Sequence, residues 1–230
     1  ESEQTVMSKY AGWDGIPQAF DKNAKGWEKE YAELQEMLTD EEYANARASV
    51  NNAFYTNPEI ARAVNETLTH FGLKKGNVLE PSMGTGIFFG TMTEGEQKER
   101  KLYGVEIDPI SGRIAKQLYQ TSKINICGFE NTTFSDNFFD AVIGNVPFGD
   151  FKVYDLRYAK YNFKIHDYFV AKSIDLVRPG GVVAVITSKF TMDKGNAAFR
   201  KYIAERAELI GAVRLPDSAF RGVAGTEITS

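Results

Sequence analysis

Residues 78–86 read Val78-Leu79-Glu80-Pro81-Ser82-Met83-Gly84-Thr85-Gly86, a short apolar strand that runs into a glycine-rich loop. Glycines at such a place let the backbone bend tightly and approach a ligand closely. A strand, a glycine loop and a following helix form the opening unit of a doubly wound α/β sheet, which binds ligands at the carboxyl ends of its strands. The stretch therefore predicts both the fold class and the place of a cofactor site.

The spacing and the charge of this loop indicate which cofactor it holds. A dinucleotide fingerprint needs Gly-x-Gly-x-x-Gly, with two residues between its last two glycines. Here three residues separate Gly86 from the next glycine, Gly90, so the spacing is one residue too long. The carboxylate of Glu80 disfavours a pyrophosphate and favours a cation, such as the ammonium and sulfonium of S-adenosylmethionine. Glu106 ends the next predicted strand, where it can accept hydrogen bonds from ribose hydroxyls, and Ile107 beside it can pack on the adenine.

The hydrophobic pattern from residue 77 onward completes the sheet. Strands and helices alternate, as a Rossmann-like, mostly parallel sheet requires. The predicted strands are residues 78–80, 102–107, 124–126, 141–143, 182–186 and 210–213, and the predicted helices are 109–119, 166–177 and 199–207.

The N-terminal quarter follows a different pattern. Residues 1–22 mix Gly, Pro and aromatic residues, which predicts an irregular arm docked on a neighbouring surface. Helices are predicted over 27–38, over 39–53 after a capping box that starts at Thr39, and over 57–70 with Asn57 as N-cap and Pro58 at the first position. We expect residues 1–54 to be an arm with a helical extension, and 55–230 to be the catalytic domain.

A second group of chemically useful residues follows the buried strand that contains residues 139–144. Asn145-Val146-Pro147-Phe148 comes directly after it. An amide oxygen and a backbone carbonyl beside proline can accept hydrogen bonds from a planar amine, and an aromatic ring can stack on the heterocycle. Taken alone, a strand followed by an ordinary proline turn explains these residues equally well.

Composition excludes several classes of protein. The chain has 230 residues with 43% hydrophobic content, and its 27 basic and 31 acidic residues give a formal charge of -4. It therefore has no global positive field for nucleic acid. A single cysteine, Cys127, and two histidines make a disulfide framework and a protein-only metal centre improbable, and no apolar run reaches the roughly 20 residues of a membrane span. We expect a cytoplasmic protein without metal or membrane contact.

The order of these motifs resembles that of N6-adenine DNA methyltransferases, in which the cofactor motifs precede the catalytic one. More closely, the chain resembles the methylase region of very large methylase-helicase proteins of phages, plasmids and conjugative elements. The similarity covers nearly the whole chain. The motifs that carry it are Tyr10-x-Gly12-Trp13, Tyr55-Thr56-x-Pro58, Glu80-Pro81-Ser82-x-Gly84-x-Gly86, Gly104-Val105-Glu106-Ile107-Asp108, Asn145-Val146-Pro147-Phe148-Gly149, His166-Asp167-Tyr168-Phe169, Arg178-Pro179-Gly180-Gly181 and Arg214-Leu215-Pro216.

The resemblance implies a class I S-adenosylmethionine-dependent methyltransferase fold and a role for each motif. Cofactor contacts are implied for Tyr55, Thr56 and Pro58 at the methionine end, for Glu80, Pro81, Ser82, Gly84 and Gly86 at the ammonium, for Glu106 and Ile107 at the ribose and adenine, and for Glu130 at the adenine. Asn145 and the carbonyl of Val146 polarise N6 of a flipped-out adenine in DNA, with Pro147 beside them and Phe148 stacked on the base.

Two positions depart from the family pattern, and two more are candidate substrate contacts. Val146 stands where the family has proline, but the expected contact is a backbone carbonyl, which valine also supplies. The third-strand acid is assigned to Glu130. Lys189 and Phe190 follow the fifth predicted strand, where Phe190 either lines the base pocket or belongs to an ordinary loop. His166 is expected to be structural.

Three functions remain open at this point. The first is methylation of adenine N6 in DNA, by a piece of a mobile-element protein whose linked helicase or recognition region lies outside this C-terminally truncated domain. The second keeps the chemistry but changes the substrate to an RNA guanine or a protein glutamine. The third is a catalytically inactive module that binds DNA or a partner.

Overall fold

The computed structural model describes residues 2–10, 12–13, 16–50, 56–216 and 219. Its strands are β1 (Gly76–Glu80), β2 (Arg100–Glu106), β3 (Lys123–Ile126), β4 (Phe139–Asn145) and β5 (Val177–Ile186). They form one parallel sheet in the order β3-β2-β1-β4-β5. The chain builds outward from β1 to β3 and then crosses back to β4, so the winding direction reverses between β1 and β4. The predicted doubly wound α/β class is confirmed.

A helix lies in each segment for which the sequence predicts one, and α3 and α4 begin at the predicted capping residues. They are α1 (Glu3–Ser8), α2 (Glu28–Met37), α3 (Asp40–Ser49), α4 (Pro58–His70), α5 (Ile87–Gly90), α6 (Glu94–Glu99), α7 (Pro109–Leu118), α8 (Ile165–Leu176), α9 (Phe190–Asp193) and α10 (Ala198–Ala204). The capping box of Thr39 and Glu42 opens α3, and Asn57 caps α4 with Pro58 at its first position. These local signals were sufficient because each cap satisfies backbone N–H groups of its own first turn.

The sheet separates two hydrophobic cores, because successive side chains of a strand point to opposite faces. Along β1, Val78 faces one core and Leu79 the other, and both side chains are fully buried. Val78 packs with residues of α4, α5 and α7, such as Phe88. Leu79 packs with residues of α8 and α10, such as Tyr168 and Phe199. Because all five strands are parallel, their carboxyl ends lie at one common edge of the sheet.

The N-terminal segment has a small core of its own and is more regular than predicted. The arm contains α1 and a 3₁₀ turn, Pro17–Phe20, so the expectation of an irregular segment is wrong there. Its aromatic residues do pack: the ring of Trp13 lies edge-on to Phe20, with 5.6 Å between centroids. An ion pair between Glu42 and Arg113 connects α3 to α7 of the sheet domain. Residues 51–55, where the predicted second helix would end, lie outside the described residues.

Two predictions about the C-terminal strands are wrong. Residues 207–216 form neither helix nor strand, and Ile210 and Val213 in the predicted strand 210–213 are 62% and 86% exposed. An apolar run becomes a strand only where a neighbour completes its hydrogen-bond ladder, and no described strand pairs with this one. The sequence predicts that the fifth strand begins at residue 182, after Arg178-Pro179-Gly180-Gly181. In the structure β5 begins at Val177, so these four residues lie inside the strand, where its pairing with β4 is irregular.

Candidate active site

The edge between β1 and β4 is where open α/β sheets bind their ligands. The two strands are direct neighbours, with Val78 paired to Ala141 and Leu79 to Val142. Glu80 ends β1 and Asn145 ends β4. The topology therefore brings together the two motifs that are 65 residues apart in the sequence, counted from Glu80 to Asn145.

The glycine loop takes a conformation that only glycine adopts easily. Gly84 has a φ of 55° and Gly86 a φ of 89°, both in the left-handed region. A Cβ on Gly86 would stand 2.5 Å from a ring carbon of Tyr119, whose hydroxyl donates a 2.7 Å hydrogen bond to the Gly86 carbonyl. The amide of Met83 donates to the carbonyl of Val105 at 3.0 Å. The loop is thus fixed from two sides before any ligand binds.

Two carboxylates are buried beside this loop. Glu80 is 1% exposed and Glu106 is 9% exposed. Glu106 accepts hydrogen bonds from the backbone amides of Gly84 at 2.7 Å and Asp108 at 2.8 Å. Its expected position at the end of β2 is therefore observed, and one further role appears, because the side chain also ties the loop to β2.

Burial controls the protonation of both acids. Desolvation raises the pKa of Glu106 to about 7, although the two backbone hydrogen bonds oppose the rise. Burial, and then the nearby charge of Glu106, raise the pKa of Glu80 well above its ordinary range. The Oε2 atom of Glu80 has no hydrogen-bond partner among the described residues. A buried pair of acids with a spare acceptor fits a cationic ligand such as the ammonium of S-adenosylmethionine, since a positive charge would stabilise both ionised forms.

The motif after β4 is connected directly to the loop. The Ser82 hydroxyl donates a 2.7 Å hydrogen bond to the carbonyl of Asn145. The amide of Val146 donates to the Ile186 carbonyl at 3.0 Å, and its side chain is 1% exposed, so valine is a core residue here. Phe148 is partly exposed and packs against the core cluster next to α8. The ring can therefore present one part to a ligand while another part is held by the protein.

The remaining predicted cofactor residues differ in how far they are buried. Thr56 is buried just before α4, which begins at Pro58, whereas Tyr55 lies outside the described residues. Ile107 is 65% exposed, which leaves its side chain accessible. Glu130 lies in a 3₁₀ turn after β3, and its carboxylate accepts a 3.2 Å hydrogen bond from the Asn131 side chain.

The predicted substrate residues stand at the start of α9. Phe190 is 54% exposed, and the Nζ of Lys189 lies 5.7 Å from its ring centroid. The two side chains thus form an exposed group rather than a closed pocket.

Three features at this edge were missed from the sequence. Gly144 has a φ of 148°, and a Cβ there would meet Glu80 at 3.5 Å, so glycine is needed for the backbone conformation next to the acid. Tyr119 fixes the glycine loop from α7, and Ser82 connects the two motifs. Each depends on a contact between distant segments, which no local pattern signals.

His166 and Asp167 are buried at the start of α8, each 2% exposed. Burial first, and then the charges of Lys194 and Lys164, lower the pKa of His166 to about 4. Asp167 forms an ion pair with Lys194. A neutral buried histidine agrees with the structural role predicted for it.

The described residues contain no cluster of three or more His, Cys, Asp or Glu side chains that could hold a metal ion. None of the helices in the described ranges is both long and apolar enough to span a bilayer.

Comparisons with known proteins identify relatives of this chain. The model of the family described as N-6 DNA methylase matches residues 32–228. "Defense against restriction protein B" of Escherichia phage P1 is 35% identical over 173 residues, which is 73% of this chain and 8% of that protein. The type II methyltransferase M.CvrRI of Paramecium bursaria Chlorella virus XZ-6E is 32% identical over 125 residues, which is 54% of this chain and 30% of that protein.

A third relative has a different substrate in its name. The "Putative protein N5-glutamine methyltransferase" of Methanocaldococcus jannaschii is 26% identical over 155 residues, which is 63% of this chain and 78% of that protein. The chain thus spans less than a tenth of the phage protein and most of the archaeal one.

Solved structures agree on the fold. A "putative class I S-adenosylmethionine-dependent methyltransferase" from Listeria monocytogenes superposes with a TM-score of 0.51 at 18% identity and covers 86% of this chain and 69% of its own. The methyltransferase subunit of a type I restriction-modification system from Streptococcus thermophilus gives a TM-score of 0.55 at 16% identity, over 77% of this chain and 46% of its own. The fold is that of class I S-adenosylmethionine-dependent methyltransferases, as predicted.

Proposed function

The chain belongs to the N-6 DNA methylase family, and we propose that it transfers a methyl group from S-adenosylmethionine to the exocyclic N6 amine of adenine in DNA. The observation that carries the proposal is the hydrogen bond from Ser82 to the Asn145 carbonyl. It joins the loop beside the buried acids to a motif that offers an amide, a carbonyl and an aromatic ring in consecutive residues at the same edge. Cofactor and acceptor amine would therefore meet at the junction of β1 and β4.

The chain's own residues would hold the cofactor by charge and by hydrogen bonds. Glu80 receives the ammonium, Gly84 and Gly86 let the backbone approach it, and Glu106 accepts from the ribose hydroxyls. Ile107 lies against the adenine. Thr56 and Pro58, with Tyr55 before them, flank the methionine end, Pro81 and Ser82 shape the loop, and Glu130 faces the adenine. S-adenosylmethionine supplies, when bound, a methyl group on a positively charged sulfur.

On the acceptor side, Asn145 and Val146 would orient the amine. The amide oxygen and the Val146 carbonyl accept its two N–H bonds, Pro147 fixes the turn, and Phe148 stacks on the base. Positive charge develops on nitrogen as the new N–C bond forms and the S–C bond breaks, and the two acceptor oxygens stabilise that charge. The proton then leaves to solvent, so positioning does most of the work and no strong base is required. An adenine in a duplex must be flipped out to reach this site.

The experiment that tests this function identifies the product. The protein is incubated with S-adenosylmethionine carrying a CD₃ group and with adenine-containing duplex DNA, and the nucleosides are analysed by mass spectrometry. We expect labelled N6-methyldeoxyadenosine, which disappears with Asn145→Ala. Label in no DNA nucleoside would contradict the proposal for DNA. We propose that the region that recognises the DNA sequence lies outside this catalytic unit, as does any helicase attached in the whole protein.

A second function, methylation of a protein glutamine, is favoured by one observation. The archaeal relative whose name carries that activity matches this chain over most of its own length. A glutamine amide is also a planar nitrogen that two acceptor oxygens can orient. Incubation of the same enzyme with a mixture of cell proteins, followed by mass spectrometry for labelled methylglutamine, separates the two substrates. Label in neither DNA nor protein would favour a catalytically inactive module.

A further inference from the structure

The N-terminal arm reaches the cofactor edge of the sheet. Helix α1 packs against α7, which starts at Pro109 just beyond Glu106. Tyr10 follows α1, and the negative charges of Asp108 and Glu106 contribute to raising the pKa of its hydroxyl, after burial. Both Tyr10 and Trp13 precede the part of the chain that the family model matches, residues 32–228. The position of Tyr10 beside Glu106, the acid proposed to hold the ribose, is therefore a property of this chain that the family match does not assign.

Three buried polar atoms meet at this place without hydrogen-bond partners among the described residues. They are the hydroxyl of Tyr10, the indole Nε1 of Trp13 and the Oδ1 of Asp108. The second oxygen of Asp108 is already used, since it accepts from the amide and the hydroxyl of Ser111 at 2.8 and 2.6 Å. The side chains of Ser111 and Trp13 approach the Tyr10 hydroxyl without completing a hydrogen bond to it.

Such atoms are unusual, because a buried polar group without a partner loses its hydrogen bonds to water and gains nothing in return. The set is also mixed: the indole N–H only donates, the Oδ1 only accepts, and the hydroxyl of Tyr10 can do both. A nucleoside offers the matching set, with ribose hydroxyls that donate and accept and ring nitrogens that accept. Ile107, which precedes Asp108 in the chain, is 65% exposed, so its side chain is accessible to a planar base.

We propose that Tyr10 and Trp13 complete the binding site for the adenosine end of the cofactor, with Asp108 as a third contact. The arm then holds the nucleoside from the start of α7, against which α1 packs. Trp13 also packs edge-on against Tyr10 and Phe20, with ring centroids 6.1 and 5.6 Å apart, so the arm presents these groups on a fixed aromatic stack. This inference rests on the proposed use of S-adenosylmethionine.

The direct test is calorimetric titration of Tyr10→Phe and Trp13→Phe, which keep the rings and remove one polar group each. We expect each variant to bind S-adenosylmethionine roughly threefold to tenfold more weakly, because one hydrogen bond to the ligand is lost. The same factor is expected for 5′-methylthioadenosine, which keeps the adenosine and lacks the amino acid. Tyr43→Phe is the matched control, since Tyr43 packs against Phe20 in the same extension, with ring centroids 5.4 Å apart, and it should leave the affinity unchanged.

Two further measurements keep the outcome unambiguous. In a Trp27→Phe background Trp13 is the remaining tryptophan, so its fluorescence should change on titration with 5′-methylthioadenosine. The melting temperature of ligand-free Tyr10→Phe should stay within about a degree of the parent protein if the hydroxyl serves a ligand. A lower melting temperature with unchanged affinity would overturn the inference, because the hydroxyl would then belong to the fold. Absence of any binding by the parent protein would instead reject the proposed cofactor.

Discussion

The cofactor half of the site, residues 80–86 and 106–108, is built differently from the substrate half, residues 145–148 and 189–192. In the cofactor half both acids are buried, and Glu106 alone accepts two backbone hydrogen bonds. In the substrate half, Phe190 and Met192 are 54% and 40% exposed. The acids of the cofactor half are enclosed by the chain itself, with Ile107 as its exposed edge, whereas Phe190 and Met192 leave the substrate half open on the side where an acceptor would enter.

This difference indicates that the two halves carry separate tasks. A preformed polar interior binds one small ligand with little rearrangement. An open rim with exposed apolar side chains buries them only when a substrate covers it. Changes in the cofactor half should therefore alter cofactor affinity, and changes in the substrate half should alter turnover.

The largest effect is expected for Asn145→Ala. Loss of an acceptor for the charge that develops on nitrogen should lower kcat roughly 100- to 1000-fold. The affinity for S-adenosylmethionine should stay within a few-fold, as measured by calorimetry. Asn125→Ala, at an exposed position of β3, is the control. If affinity and turnover fall together, Asn145 supports the loop and the separation fails.

On the cofactor side, Glu106→Ala should weaken binding of S-adenosylmethionine by roughly 1 to 3 kcal/mol, because charge-assisted hydrogen bonds to the ribose are lost. The measurement is calorimetric, and Glu94→Ala on the exposed side of α6 should have no effect. The melting temperature is recorded as well, since Glu106 also anchors the amide of Gly84. Unchanged affinity would remove the ribose assignment.

Phe148→Ala should reduce kcat/KM about tenfold to a hundredfold, since stacking on a base contributes roughly 1 to 3 kcal/mol. Phe148→Tyr and Phe148→Trp should keep most of the activity. Because the ring also packs against the core, alanine should lower the melting temperature too. The decisive quantity is activity per folded molecule, and full activity on that basis would make Phe148 a core residue only.

The smallest effect is expected for Ser82→Ala, which removes the bond between the two halves. One neutral hydrogen bond contributes about 0.5 to 1.5 kcal/mol, so turnover should fall roughly twofold to tenfold. Ser122→Ala, in the turn before β3, is the control. An effect on cofactor affinity with no change in turnover would place Ser82 in the cofactor half alone.

Local patterns predicted most of the fold, and they placed Glu80 and Asn145 at the carboxyl ends of strands. The caps at Thr39 and Asn57 and the glycine loop act through neighbours a few residues away, so the sequence shows them directly. Gly144, in contrast, is required by the positive φ of the backbone beside Glu80, and the apolar run at 210–213 lacks a partner strand among the described residues. Both outcomes depend on which segments become neighbours in space, and the hydrophobic periodicity of the sequence does not specify these neighbours.

If the buried acids Glu80 and Glu106 are placed for a cation, their ionisation must be linked to cofactor binding. Because the pKa of Glu106 is raised from an ordinary value of 4.5 to about 7, the folded free protein holds more protons than the unfolded chain in that interval. Stability of the free protein should therefore fall as the pH rises from 4.5 to 7. A bound cation favours the ionised form, so cofactor binding should release protons in the same interval.

Calorimetric titration with S-adenosylmethionine at pH 5.5 and pH 7.5, each in two buffers of different ionisation enthalpy, tests this claim most directly. We predict binding that is roughly threefold to tenfold tighter at pH 7.5, with proton release at pH 5.5 that decreases in Glu106→Gln. Equal affinity at both pH values with no proton release, or no binding at all, would contradict the account.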